Sequence, residues 1–431
     1  MSHLAERVSL SANVAEEVRD FYERYPYPPP VDELEKYQRQ WQDPQRRRAD
    51  FHMYWPGRSY REDQSILIAG CGTSQAAKHA LRWPSAQVMG IDCSATSVRH
   101  TEQLKRKYGI KNLEVRQLEI ERVGELGMSF DQVVCTGVLH HLLDPVRALN
   151  ALRSVLQPGG AMQLMVYAPY GRAGVYMMQE FCRALGIDAN DIEIRNLTGA
   201  LRALPAGHPL QALLSKAKDF RNESAVADAL LHPQDRAYSV PQFLELIEKG
   251  GLTFGRWVKQ APYSVHCGVM AKIPQSGRIE RLSSTEQYTM AELFRGTMVR
   301  HSAIVYASGG EEETKQGLDF ADGTWLACIP IRMPDTICVQ EAPCAGAVGV
   351  LISQSHIDRD LFLPISRLEK EWFDAINGER TLGEIAEGVP SLAGRTMNLA
   401  VARAFFKQLW WHDHVVFDSS RANSLRVSTA N

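Results

Sequence analysis

The stretch SILIAGCGTS, residues 65–74, is an apolar run that breaks into Gly70-Cys71-Gly72, and Val88-Met89-Gly90-Ile91-Asp92 follows where a second strand would end. A β-strand that gives way to glycines leaves the first N–H groups of the next helix open to a ligand, and an acid closing the following strand can hold a ribose diol. The pairing predicts a cofactor that contains a nucleoside. A dinucleotide is disfavoured because the full G-x-G-x-x-G is missing: Ser74 and Gln75 stand where that motif would continue. The loop then need only lie beside an adenosine and an amino-acid tail.

Strand and helix alternate from there, with strands expected at 65–70, 87–92, 112–117, 130–135 and 161–167 and helices at 74–82, 94–108 and 144–156. Alternation at this spacing predicts an α/β fold with a doubly wound, Rossmann-like parallel sheet covered by helices on both faces. Ligands of such sheets bind beyond the carboxyl ends of the strands, where Gly70, Asp92, Glu119 and Gly137 all fall. Ahead of this core, helical spacing over 12–25 stops at Pro26-Tyr27-Pro28-Pro29-Pro30, a stiff segment that can lie over a pocket at little ordering cost.

Residues 170–237 interrupt the alternation with helical runs at 175–185, 194–204 and 210–217; a helix at 240–249 and strands at 253–259 and 264–272 then close the expected core. After residue 277, a helix at 284–295 leads to strand-like runs at 303–307, 324–331, 336–341 and 347–352 that read as a small separate sheet. From about 360 the chain reads as short helices, a turn at Asn377-Gly378, a helix at 396–409 and a terminal strand pair, a winged-helix-like module. The expected division is 1–60 as an N-terminal lid segment, 61–275 as the cofactor-binding domain with 170–237 as its helical insertion, 278–358 as a small α/β domain and 359–431 as the winged-helix-like module.

Over 65–167 the chain resembles, motif by motif and in order, the class I S-adenosylmethionine (SAM)-dependent methyltransferases. Gly70 and Gly72 match the family's glycine loop, Asp92 its ribose-binding acid, and Glu119 with Ile120 the place where the adenine amino group is read. Phe130-Asp131-Gln132-Val133-Val134-Cys135 matches the fourth strand, Gly137-Val138-Leu139-His140-His141-Leu142 the loop behind it, and Leu156-Gln157-Pro158-Gly159-Gly160 the turn before the fifth. The resemblance implies a Rossmann-like methyltransferase sheet, SAM as cofactor and S-adenosylhomocysteine (SAH) as product. It implies Gly70, Cys71, Gly72, Ser74, Gln75, Asp92, Cys93, Glu119, Ile120, Thr136 and Gly137 as the cofactor-binding residues.

The chain departs from the family where Ile68 replaces a common acid and Ser74 a third glycine, so Ser74 and Gln75 are left to supply polar groups. In related enzymes an N-terminal Tyr-Pro segment often covers the cofactor, which makes Tyr22, Tyr25 and Tyr27 lid candidates; a surface helix capped onto the core is the other reading. Residues 377–386 resemble small winged-helix domains that bind leader peptides, and the C-terminal part resembles the regulatory region of bacterial protein-lysine methyltransferases. A structural or dimerising module is the alternative, and homodimerisation stays open.

Methyl transfer from a sulfonium is a direct displacement, so holding the acceptor in line and away from water supplies much of the catalysis. An amine acceptor needs only to be deprotonated, whereas a hydroxyl needs a base of near-neutral pKa. His140 and His141, just past the fourth strand, are candidates for that base, with pocket shaping as the other reading. Tyr167, Tyr170, Arg172 and Tyr176 leave the fifth strand together; tyrosines can flank an amine and an arginine can clamp a carboxylate. Tyr170 joins the histidines as a catalytic candidate, while Tyr22, Tyr27, Tyr167, Arg172, Tyr176 and Arg236 are acceptor-binding candidates. Arg236 belongs to a polar cluster, His232–Tyr238, whose other and stronger reading is an Asp/Arg-pinned turn. No metal is expected, because His412 and His414 have no further ligand at a recognisable spacing and read as surface residues.

With 48 basic and 50 acidic residues, no overall charge draws the chain to nucleic acid, and the Asn-Pro-Pro-Tyr signature of base-amino methylases is absent. Arg46-Arg47-Arg48 reads as solvated surface. The lack of a signal-peptide core, of any apolar run near 20 residues and of a C-x-x-C pair among the eight cysteines predicts a soluble, cytoplasmic protein with reduced thiols and no membrane partner. The large non-catalytic C-terminus favours a nitrogen or oxygen acceptor on a protein or peptide over a small molecule. A SAM- or SAH-binding subunit without transfer activity is the third reading.

Overall fold

Seven strands make the main sheet: β1 (Ser65–Ala69), β2 (Gln87–Asp92), β3 (Leu113–Gln117), β4 (Phe130–Thr136), β5 (Leu156–Tyr167), β6 (Leu252–Trp257) and β7 (Arg300–Ala307), in the order β3-β2-β1-β4-β5-β7-β6. This architecture comes from a computed structural model that describes residues 16–216, 222–309, 320, 323–341, 345–389 and 399–423. β1 pairs in parallel with both β2 and β4, so the winding leaves β1 in one direction and resumes from β4 in the other. Connecting segments diverge at that switch point and open a crevice beyond the strand ends. Ile66, Leu67, Ile68, Val133 and Val134 are at most 2% exposed. Strands covered on both faces read as continuous apolar runs, and each such side chain contributes roughly 1.5–3 kcal/mol by leaving water.

The first five strands and their helices, Gln75–Arg82, Ala95–Lys107 and Pro145–Ser154, lie within a few residues of the expected positions. The closure of the sheet differs. The expected strand at 264–272 does not form; Pro262 and the left-handed Gly268 (φ 58°) hold that stretch in short 3-10 turns, Ala261–Tyr263 and Gly268–Ala271. The run 303–307, read as part of a separate sheet, instead belongs to β7, which runs antiparallel to β5 from Ala161↔Tyr306 to Tyr167↔Arg300. Of the strand expected at 324–331 only the end forms, as Ile329–Arg332; Gly323–Ala327 is a 3-10 turn.

Two compact units emerge. The first comprises residues 1–39, 62–254 and 295–308. It carries the sheet, an N-terminal helix over 16–24 and the helical insertion. The first four residues of the helix expected at 12–25 lie outside the described residues. The insertion contains Ala173–Leu185, Asp191–Leu201, Pro209–Lys216 and a fourth helix, Glu223–Leu231, that the sequence reading did not separate. Val175, Ile194, Leu197, Leu210, Val226 and Leu230 form its own core together with Phe21 and Tyr25 of the N-terminal helix.

The second unit comprises residues 40–61, 255–294 and 309–431. It holds an antiparallel three-stranded sheet of 336–339, 349–353 and 362–365 and helices Arg367–Asp374, Leu382–Glu387 and Leu399–Trp411. The terminal strand Val415–Asp418 pairs with Ile329–Arg332 rather than with a second terminal strand. His412 and His414, expected at the surface, are buried, and Asp413 between them accepts hydrogen bonds from the Gln260 and Ala261 N–H groups and from His356 Nε2. Arg48 is likewise engaged, with Asp418 at 3.1 Å. Seven cysteines are unbridged, and Cys344 lies outside the described residues. No helix among the described residues is long and apolar enough to cross a membrane.

Candidate active site

The loop after β1 can only be built from glycine at its first position. Gly70 has φ 70°, and a Cβ there would lie 2.3 Å from Val138 Cγ2. Gly72 (φ 53°) sits under the N-terminal segment, with the place of its absent Cβ 2.9 Å from Pro28 Cδ and 3.0 Å from the Tyr27 carbonyl oxygen. Thr73 Oγ1 donates to the Pro28 carbonyl at 2.8 Å. The Tyr-Pro segment therefore lies directly on the glycine loop. Tyr25 anchors it to the insertion by donating to Asp191 Oδ1 at 3.0 Å, and Glu23 accepts from the Ala95 and Thr96 N–H groups that open the helix after β2.

Asp92 closes β2. Its carboxylate accepts from the Gly72 N–H at 2.8 Å and the Ser94 N–H at 2.9 Å, one bond per oxygen, which leaves lone pairs for further donors. Burial pushes its carboxyl up to about 6 in spite of those bonds. Ser74 Oγ, also at the loop, is buried without a partner. Thr136 donates to Gln75 Oε1 at 3.2 Å. Glu119 is exposed just past β3, with Ile120 buried behind it, and the half-buried Cys93 follows Asp92. Cys71 is buried and its thiol pushed well up by burial, which makes it packing rather than a nucleophile. Gly137 has φ 81° at the end of β4. These groups fit an adenosine: an acid with free lone pairs for the ribose, a second acid one strand further out, and spare hydroxyl and amide groups on the loop.

Beyond the cofactor loop a polar cluster gathers from four segments. Tyr22 comes from the N-terminal helix, His140 and His141 from the turn after β4, Tyr167 and Arg172 from the end of β5, and Asp228, His232 and Asp235 from the last insertion helix and the turn behind it. Tyr22 donates to Asp228 Oδ1 at 3.1 Å. His141 Nδ1 meets the Gln234 carbonyl at 2.8 Å and lies 3.9 Å from Asp235 Oδ1. Arg172 lies flat over Tyr167, 3.6 Å from the ring centroid, with Nη2 3.8 Å from Asp235 Oδ2 and without a hydrogen bond. Gln179 donates to Asp235 Oδ2 at 2.9 Å, and Arg172 Nε to the Tyr176 hydroxyl at 3.3 Å.

Burial sets the charges. It drives His140 and His232 well below their ordinary value and raises Asp228 and the phenols of Tyr22 and Tyr167. His140 is fully buried with both ring nitrogens unpartnered, as is His232 Nε2. Two subsets, His141–Asp228–His232 and His140–His141–Asp235, have metal-ligand spacing. Against a metal at the first, the Gln234 N–H donates to His232 Nδ1 at 3.0 Å, which leaves the proton on Nε2, and Tyr22 already binds Asp228.

Of the residues singled out in the sequence, the fold gathers Tyr22, His140, His141, Tyr167, Arg172 and Tyr176. Tyr27 lies on the glycine loop. Tyr170 is 44% exposed and stands outside the cluster. Arg236 is exposed over Tyr238, while its neighbour Asp235 turns inward with a side chain only 2% exposed. Asp228 and Gln179 were not foreseen. An acid set among Ala225, Val226, Ala227, Ala229 and Leu230 on one short helix is the signal that marks Asp228.

A glycine loop at the switch point, an acid closing the adjacent strand and an antiparallel last strand define a Rossmann-like SAM-binding domain. Residues 67–162 match the methyltransferase-domain family. An uncharacterised protein of Synechococcus sp. is 30% identical over 302 residues, 66% of this chain and 70% of that protein. Trans-aconitate 2-methyltransferase of Deinococcus radiodurans is 33% identical over 125 residues, 29% of this chain; the match spans 45% of that enzyme's length. PKMT2 from Rickettsia typhi, also solved with AdoHcy, shares the fold over 91% of this chain and 77% of its own at a TM-score of 0.61 and 16% identity. The chain belongs to the class I SAM-dependent methyltransferases, and SAM is its cofactor.

Proposed function

We propose that the protein transfers the methyl group of SAM to a nitrogen or oxygen nucleophile on a protein or peptide side chain received by the cluster of Tyr22, His141 and Asp228. The observation that carries this reading is the cluster itself: buried polar groups with unpartnered atoms, assembled from the lid, the turn after β4 and the insertion, next to the cofactor loop. A fold likeness to PKMT2 that runs across 91% of the chain, and so beyond the catalytic domain, supports a macromolecular acceptor. When bound, SAM supplies an electrophilic methyl group on a sulfonium. Asp92 and Glu119 hold the nucleoside, the segment at Tyr27-Pro28 excludes water, and His141 takes a proton from the acceptor. Positioning and dryness supply most of the acceleration, and a positioned base adds about 10²–10⁴-fold.

A small-molecule acceptor is the second reading. It is supported by the relation to trans-aconitate 2-methyltransferase and by Arg172 Nη2, which makes no hydrogen bond and can donate one to a carboxylate. Incubation of the protein with methyl-labelled SAM and cell extract, followed by intact-mass analysis, tests both. Label in polypeptide supports the first reading and label confined to metabolites the second. SAM binding without SAH formation overturns transfer and leaves a binding subunit.

A further inference from the structure

We infer that the acceptor atom is a hydroxyl oxygen, held between the Nε2 lone pair of His141 and the Nε2–H of His232. The inference rests on the transfer reading above and deepens it. Gln234 sets both rings: its carbonyl oxygen meets His141 Nδ1 at 2.8 Å, and its N–H donates to His232 Nδ1 at 3.0 Å. A carbonyl only accepts and an N–H only donates. Neutral His141 therefore carries its proton on Nδ1 and neutral His232 on Nε2. One peptide turn gives two neighbouring imidazoles opposite tautomers.

The rings lie 3.9 Å apart between centroids, and one nitrogen of each falls within 4.8 Å of the other and of an Asp228 carboxylate oxygen. His232 Nε2 is buried with no partner, and the Gln234 bond leaves His141 with its Nε2 lone pair to offer. This pair asks for a group that gives one hydrogen bond and receives one. A carboxylate has no proton to give His141. An amine has a single lone pair, which attack on the methyl group consumes, so the His232 N–H stays unpaired. A hydroxyl has one proton and two lone pairs. Its proton goes to His141, one lone pair receives the His232 N–H, and the other is free to attack.

The step balances. As the O–CH3 bond forms, the S–CH3 bond breaks and its electron pair stays on sulfur as a thioether. The hydroxyl proton passes to His141 Nε2. The imidazolium is met by Asp228 and Asp235, and the proton then leaves to water. Among the described residues, Tyr22, Tyr167, Asp228, His232, His140 and Asp235 are titratable groups around His141.

Three measurements test this. Nitrogen-15 spectra of histidine-labelled, SAH-bound protein read the tautomers directly, with His141→Gln and His232→Gln assigning the resonances. The proton is expected on Nδ1 in His141 and on Nε2 in His232, and the reverse at either ring overturns the inference. Carbon-13 methyl-labelled SAM with cell extract then reads the acceptor atom from the methyl shift. An ether-type O-methyl signal supports the inference. An N-methyl or alkali-labile ester signal overturns it and leaves methyl transfer standing; SAM bound with no label transferred overturns the transfer reading itself. His141→Gln should keep SAM affinity within about twofold and lower turnover by about 10²–10⁴-fold; a loss under about tenfold removes His141 as the base.

Discussion

Glu23 is the polar latch between the N-terminal segment and the cofactor domain. Its carboxylate accepts from the Ala95 N–H, from the Thr96 N–H at 3.1 Å and from Thr96 Oγ1 at 2.6 Å. The two amides are orphan donors of a helix start, where negative charge is favoured. Hydrogen bonds to a charged group are worth about 1.5–3 kcal/mol each when fully buried. Ala95 is exposed, however, and its N–H returns to water once Glu23 is gone, so the whole latch is worth about 1–2 kcal/mol. Glu23→Ala should therefore raise the open fraction of the lid, and with it the SAH dissociation rate, by about 5–30-fold. Stopped-flow displacement of a fluorescent SAH analogue measures that rate, and thermal unfolding checks that the domain stays folded. The sign with pH is fixed. Burial raises the Glu23 carboxyl, but the bonds from Thr96, Ala95 and Ser94 outweigh it and hold it below 4.5. The latch is thus complete above 4.5 and released as pH falls through the lowered value. A dissociation rate unchanged in Glu23→Ala, in a protein that remains folded, refutes the reasoning.

Asp92 predicts a pH dependence of the opposite origin: its carboxyl titrates near 6 in the free protein and ribose hydroxyls favour the ionised form, so SAM affinity should be full above 6 and fall as pH drops through 6. Calorimetry at pH 7.5 and 5 checks this, and equal affinities would remove the ribose assignment. Gly70→Ala should cost about 2–4 kcal/mol, part from the left-handed backbone and part from the Val138 methyl 2.3 Å away. Val138→Ala should restore only the second part, so additive denaturation energies in the double mutant would contradict the contact. Gly174→Ala would place a Cβ 2.2 Å from the Leu210 backbone nitrogen, forcing apart Ala173–Leu185 and Pro209–Lys216. The variant should show faster proteolysis confined to the insertion; an unchanged digestion pattern counts against that packing.

Where local chemistry decides, the sequence was informative. Gly70, Asp92 and the strands β1, β2 and β4 carry their signals within a few residues, because a buried parallel strand is largely apolar and ends where backbone meets ligand. The partner of residues 303–307 was not readable. The run has the composition of any strand, and whether it joins β5 or a distant sheet depends on closure of a loop more than 130 residues long. The acceptor cluster was half legible. His140 and His141 stand beside a recognised strand end, whereas Asp228, His232 and Asp235 reach them only through the path of the insertion. Choosing Arg236 over Asp235 shows the limit: the two are adjacent in sequence, and only the turn at Gln234 decides which one points inward.

The place of β7 bears on how the chain is made. Its strand inserts between β5 and β6 but is encoded after both, beginning at Arg300 where β6 ends at Trp257. At about 5–20 residues per second, synthesis reaches it roughly 2–10 s after β6 is complete. Throughout that interval β5 offers an unpaired edge and β6 has no neighbour in the sheet, the condition under which chains cross-pair. The nascent protein therefore passes through an incomplete sheet on every ribosome, and a gene cut between residues 257 and 300 would fix it there.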